Sequence, residues 1–337
     1  MDDVPYSFLD ELSTQLTSIQ LQEVKKLRAP LWTETAKMHL RNRRIISVGI
    51  TLFVDPKGLP YDDARFAMEF HEVPREPGRQ WESLPCRLDL LKAIDRRFLR
   101  FCGLHFAFEP YRRGAYETNL EELIDFVLEH LDHTPSLSVQ SPRSARVNTL
   151  RFQNIINSDR FLKFTKLRLY NEGGCYLCQR VLEYQVNNNP SITEMVLRGD
   201  ADWNSDTKPM VRKYLFKPGH KTLSVTCDDT TEDNGVYVKK WLEDPSFEME
   251  LNIEQNWMDV LIRSLDPVLH LLEADDYSPQ YGRVHPTEGG AGAYANIYQQ
   301  DGHVMFSLTL TADNSAMLGF LAGDCQKKDR CNICKKQ

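Results

Sequence analysis

The sequence predicts an α/β fold: a short N-terminal helical bundle, then a leucine-rich-repeat-like solenoid of parallel strands, then a C-terminal β-hairpin. Three observations carry this. A short apolar pattern recurs at a nearly constant interval, helical stripes fall between its copies, and an Asp-Gly pair separates two apolar runs beyond the last copy. The pattern is an apolar residue, two others, an apolar residue, one other and an apolar residue. It occupies residues 101–106, 134–139, 164–169, 192–197, 220–225 and 248–253, the first slot being Thr, His or Glu in three of them. Its fourth position is Leu104, Leu137, Leu167, Met195, Leu223 and Leu251, at intervals of 33, 30, 28, 28 and 28 residues. A fixed period of that size marks stacked supersecondary units that bury their apolar faces against one another. Such a stack offers a long recognition surface instead of one deep catalytic pocket.

Taken in order, residues 1–44 read as three short helices. Phe8, Leu9, Leu12, Leu16 and Ile19 form the first stripe, and Leu21, Val24 and Leu27 the second. After the break at Ala29-Pro30, a third stripe of Leu31, Trp32, Ala36, Met38 and Leu40 ends at the basic cluster Arg41-Asn42-Arg43-Arg44. Residues 45–82 read as a hairpin, with strands from Ile45 to Val54 and from Ala64 to Val73, a long loop between them and a Pro- and charge-rich linker after. Residues 83–275 are the repeat domain. Its helical stripes are Leu88 to Phe98, Leu120 to Leu131, Leu177 to Tyr184, Val211 to Leu215, Val236 to Leu242 and Trp257 to Leu265. Regular alternation of strand and helix predicts parallel strands on one side and helices on the other. Val147 to Phe152 also fits the strand pattern but falls mid-period, and is assigned as helix. Residues 276–322 form a hairpin cap around Asp301-Gly302, and residues 323–337 a flexible tail.

Composition narrows the function classes. The chain has 337 residues, 41% apolar and 26% charged, with 48 acidic against 41 basic side chains and a net charge of −7. That balance supports no nucleic-acid footprint. No apolar run spans a bilayer and no secretory signal opens the chain, so no membrane partner is expected. Eight irregularly spaced cysteines point to reduced thiols in the cytoplasm or nucleus.

No nucleophile stands in a catalytic motif, so the chain reads as a non-enzyme without cofactor. Cys175-x-x-Cys178 and Cys331-x-x-Cys334 could together hold zinc, but some 150 residues separate them and no metal site is assigned. His130 and His133 fall at i, i+3 of a predicted helix and read as residues suited to its C-terminus. Gly289 to Gly292 does not follow a strand and open a helix, which excludes a phosphate loop. If the fourth and sixth repeat positions face the core, alternate residues line the opposite face. There Lys166, Arg168, Tyr170 and Arg198 form a basic-aromatic patch suited to an acidic or phosphorylated target segment.

The opening Val4-Pro5-Tyr6-Ser7-Phe8-Leu9-Asp10-Glu11-Leu12, with Pro30-Leu31-Trp32-Thr33-Glu34-Thr35-Ala36 farther on, resembles a divergent F-box, the helical hook that docks on a Skp-type adaptor. Val4 stands where that motif usually has Leu, and its Val-Cys-Arg-x-Trp run is missing. Beyond the hook the chain resembles a nematode family of F-box-like proteins, through Gly199 to Trp203, Val211 to Lys217 and Val284-His285-Pro286-Thr287. The resemblance implies a substrate-recognition subunit of a cullin-type ubiquitin ligase, with Val4, Pro5, Leu9, Leu12 and Trp32 contacting the adaptor and the strand face holding a protein target. A repeat scaffold whose N-terminal segment is only a cap is the alternative. The repeats depart from standard leucine-rich ones: the expected Asn appears only as Asn256, with Asp200 and Asp228 in its place elsewhere.

Overall fold

The computed structural model describes residues 4–54, 66–74, 82–84, 88–110, 119–143, 149–173, 176–199, 203, 207–225, 235–254, 269–273, 280–288, 290–300 and 303–313. The chain is α/β and divides into two compact units, Met1–Leu167 and Arg168–Gln337.

The first unit opens with helices α1 (Tyr6–Gln15), α2 (Ser18–Lys25) and α3 (Pro30–Asn42). Local chemistry sets their starts. The Thr17 hydroxyl accepts the Gln20 amide at 3.1 Å while the Gln20 side chain accepts the Thr17 amide at 2.9 Å, a reciprocal capping box. Pro30, which lacks an N–H, sits in the first turn of α3, where no intrahelical donor is needed.

Then follow β1 (Arg44–Val54), β2 (Phe66–Glu72), β3 (Glu82–Leu84), α4 (Leu88–Lys92), β4 (Leu99–Pro110), α5 (Leu120–Glu129), β5 (Leu131–Gln140) and α6 (Leu150–Ile156). The strands are ordered β3-β2-β1-β4-β5. The expected hairpin is present as antiparallel β1 and β2, but β1 also pairs parallel with β4 from Arg44 opposite Leu99 to Val54 opposite Pro110. Alternation explains this: Ile46, Val48, Ile50 and Leu52 are all buried and continue the apolar row of Phe101, Leu104 and Phe106. The helix expected from Leu88 to Phe98 stops at Lys92, and the Asp95 carboxylate accepts the Arg97 amide at 3.0 Å in a tight turn that leads into β4. His130 and His133 share no helix face: α5 ends at Glu129, His130 caps it, and His133 is exposed on β5.

Strand β6 (Lys166–Tyr170) contributes its first two residues to the first unit and the rest to the second. The second unit continues with α7 (Leu177–Asn188), β7 (Glu194–Arg198), α8 (Thr207–Leu215), β8 (Lys221–Val225), α9 (Gly235–Glu243), β9 (Met249–Glu254), β10 (His270–Glu273), β11 (Gln280–Val284), β12 (Gly292–Gln300) and β13 (His303–Thr311). Its order is β6-β7-β8-β9-β13-β12-β11-β10. Strands β7, β8 and β9 are parallel, with Met195 opposite Leu223 and Leu223 opposite Leu251. In the first unit Leu104 likewise faces Leu137. These five period residues are therefore direct cross-strand neighbours within their units.

The terminal hairpin joins the sheet of this unit. β13 pairs antiparallel with β9, Leu308 opposite Leu251, and β12, β11 and β10 extend the same sheet antiparallel. Tyr214, Tyr237 and Trp241, all but wholly buried, come from the helices into this unit's core. The loop at 55–60, the helix expected from Trp257 to Leu265, the turn at Asp301-Gly302, the tail 323–337 and the Asn256, Asp200 and Asp228 positions lie outside the described residues. No described helix is long and apolar enough to cross a membrane.

Candidate interaction surfaces

The N-terminal helices have an inner and an outer side. On the inner side, Arg43 is 5% exposed, and its guanidinium donates to the Ser13 carbonyl at 2.8 Å and to the Leu16 carbonyl. Arg100 of β4 donates to the Thr14 carbonyl. These carbonyls lie around the α1 C-terminus, where the helix leaves its last acceptors incompletely satisfied and favours cations. Asp10 accepts from Arg97 at 2.8 Å and from His39 Nε2 at 2.8 Å, and the His39 ring stands edge-on to Phe98. A carboxylate only accepts, so Nε2 carries the imidazole proton.

Of the five residues expected to meet an adaptor, Pro5 is exposed while Val4, Leu12 and Trp32 are half-buried. Leu9 is only 1% exposed, which corrects its place on an outer surface: it packs inward beside Asp10 and Ser13. The apolar groups that do face outward are Tyr6, Phe8, Ile19 and Leu27, between 45% and 77% exposed. Phe8, Ile19 and Leu27 belong to the helical stripes of the sequence, but periodicity alone does not say which neighbour of an adjacent apolar pair such as Phe8-Leu9 turns inward.

The inner network has a consequence for pH. Burial pushes the His39 imidazole below its ordinary 6.5, outweighing the opposing pull of Asp10. Burial alone would raise the Asp10 carboxyl, but hydrogen bonds from Arg97 and His39 hold it below 3.8. The unfolded chain therefore binds more protons than the folded one as pH drops below about 6.5, and again below about 3.8. Both effects reduce stability on acidification. Urea midpoints should fall between pH 7 and 5, and His39→Gln should flatten that slope. An unchanged slope in the variant would remove His39 as its source.

The second candidate surface is the strand face. β6 and β7 alternate between half-buried and buried side chains, which puts Arg168 and Tyr170 on one face of β6 and Glu194, Val196 and Arg198 on one face of β7. Thr222 and Ser224 of β8, then Glu250 and Asn252 of β9, continue the same rows. Lys166 is half-buried at the start of β6 and Arg198 is exposed. Arg168 is not a bare cation as the alternation implies: its Nη2 lies 3.3 Å from Glu194 Oε1.

Several charged or polar groups that sequence reasoning missed hold the turns of this unit. Lys221 is 3% exposed and donates to the Ile192 carbonyl at 3.0 Å, and Lys217 donates to Val186 and Asn189 at the end of α7. Asn189 is fully buried, linking Gln185 to Ser191. The four-residue spacing of Lys217 and Lys221 is the one signal available beforehand.

Cys178 is buried and its thiol donates to the Tyr170 carbonyl, whereas Cys175, Cys331 and Cys334 lie outside the described residues. Among the described residues no group of three or more His, Cys, Asp and Glu is placed to hold a metal ion. In the first unit, His105 Nδ1 lies 2.7 Å from Ser138 Oγ on the next strand, and burial holds this imidazole below its ordinary range.

No family model, curated protein or solved structure matches the chain.

Proposed function

We propose that the protein is a protein-binding adaptor, a substrate-recognition subunit of a cullin-type ubiquitin ligase. Its N-terminal helices would dock on a Skp-type adaptor and its strand face would hold a protein target. One observation carries the reading: the inner side of the helical block is pinned by Arg43, Arg97 and Arg100, while Tyr6, Phe8, Ile19 and Leu27 are 45% to 77% exposed. Exposed aromatic and aliphatic anchors on a rigid element are what a partner's groove selects. We read the repeats as a solenoid, supported by the register of Met195, Leu223 and Leu251. The free Cys102 thiol accords with work in the cytoplasm or nucleus.

The test is co-purification with a Skp-type adaptor. Phe8→Asp combined with Ile19→Asp should cut capture at least about tenfold, as loss of central anchors does. Because both side chains are mostly exposed, the thermal midpoint should stay within a few degrees. A folded parent protein that captures no adaptor removes the ligase reading.

The same arginine contacts favour a second reading, a repeat scaffold in which the helices cap the sheet of the first unit. Deleting residues 1–42 separates the two. A soluble, cooperatively folding remainder speaks for a detachable hook, and aggregation of the remainder for a cap.

A further inference from the structure

We propose that Arg168 and Arg198, with Tyr170 beside them, form a carboxylate-binding site in which Glu194 acts as a built-in stand-in, and that an acidic segment of a partner protein displaces it. The inference rests on the strand face being a target surface and adds the chemistry of what that face takes.

The Arg168–Glu194 contact is half-made. A single nitrogen meets one oxygen at 3.3 Å, with the two side chains 43% and 26% exposed. Arg168 Nε is buried and has no hydrogen-bond partner. The same chain shows what a complete fork looks like: Arg44 Nε lies 3.1 and 3.2 Å from the two Glu72 oxygens, and its Nη2 lies 2.5 Å from one of them. Guanidinium and carboxylate are matched for such two-point contact, which is stronger and more directional than a single one. Arg168 thus carries a buried donor that Glu194 leaves unsatisfied, and displacement of Glu194 would open it to an incoming carboxylate.

Arg198 supplies a second cation one strand over. It is exposed and makes no ion pair with a described residue. Its backbone is fixed: the Arg198 carbonyl accepts the Asn171 amide at 2.7 Å, which locks the end of β7 to the end of β6 beside Tyr170. The backbone of the site is thus preorganised, and binding costs chiefly the rotamer freedom of the two arginine side chains. The open strand face encloses no small anion. A free carboxylate meets only the guanidinium groups, whereas an extended segment also reaches the neighbouring hydroxyls of Thr222 and Ser224. Glu194 is itself a side-chain carboxylate, which identifies the matching ligand as an Asp- or Glu-bearing segment.

Fluorescence anisotropy with a labelled Glu-rich octapeptide and the full-length protein tests this. Glu194→Gln removes the competitor and should tighten binding about two- to fivefold, the span expected for losing one exposed ion pair. Arg168→Gln and Arg198→Gln should each weaken it about tenfold, as loss of a charge-assisted contact does. Circular dichroism should show all three variants folded.

No gain in Glu194→Gln overturns the stand-in role, and unchanged affinity in the arginine variants overturns the site. So does competition by free acetate as effective, carboxylate for carboxylate, as the peptide. Binding of a phosphorylated octapeptide where the Glu-rich one fails overturns the carboxylate assignment. Adaptor capture measured on the same variants keeps the failures apart. Peptide binding with the Glu194→Gln gain but no adaptor capture would leave the site standing and remove the ligase reading. Adaptor capture with no peptide binding would do the reverse.

Discussion

Gly199→Ala is expected to destabilise the second unit by about 3 kcal/mol or more, from a strained backbone angle plus a steric clash. Gly199 follows β7 with φ of 134°, a region that side chains rarely enter. A Cβ built there would stand 2.2 Å from the Asn171 carbonyl oxygen and 2.6 Å from its nitrogen. Both obstacles are backbone, and Asn171 cannot retreat without breaking its hydrogen bond to Arg198. Gly219 is the internal control, having φ of 87° and nothing within 4 Å of a built Cβ. Gly219→Ala should cost only about 1 kcal/mol, the conformational penalty alone. Urea unfolding of the two variants measures the difference. Equal costs would mean that the approach of Gly199 to Asn171 does not constrain the fold.

Arg43→Met should cost the first unit about 2 to 3 kcal/mol. Two charge-assisted hydrogen bonds, to Ser13 and Leu16, are lost, each worth on the order of 1.5 kcal/mol or more. An opposing effect reduces the total: burial and the neighbouring Arg100 charge already push the Arg43 guanidinium below its ordinary value, so methionine relieves some desolvation and repulsion. The hydrogen bonds win because the Ser13 carbonyl stays buried and loses its charged donor. Limited proteolysis should then cut within residues 1–29 well before the rest of the unit. A loss under about 0.5 kcal/mol with no new cleavage would show that apolar packing around Leu9 and Leu21 suffices to hold these helices.

The N-terminal surface and the strand face differed in how readable they were. Leu9 and Phe8 are adjacent and equally apolar, and only the packing of α1 decides that Leu9 is buried and Phe8 exposed. The strand-face alternation at Arg168, Tyr170 and Arg198 follows from the period-two pleat and was readable. The partner of Arg168 was not, because Glu194 lies 26 residues away on the next strand. Buried polar groups were the least legible. Asp10, His39, Arg43 and Lys221 occur at positions that composition assigns to the surface, yet each is inside and hydrogen-bonded.

By itself, the sequence determined the α/β class, the strand copies at residues 101–106, 134–139, 164–169, 192–197, 220–225 and 248–253, the helices between them, and the antiparallel run on either side of Asp301-Gly302. These follow from periodicity and turn chemistry, which are properties of neighbouring residues. Only the tertiary structure decided that β1 lies parallel to β4 and that β13 joins β9. Both are pairings between distant segments whose apolar rows match several partners equally well. It also decided which charges go inside: a buried ion or amide is stable only where another part of the chain supplies its hydrogen bonds, and no local pattern records that supply.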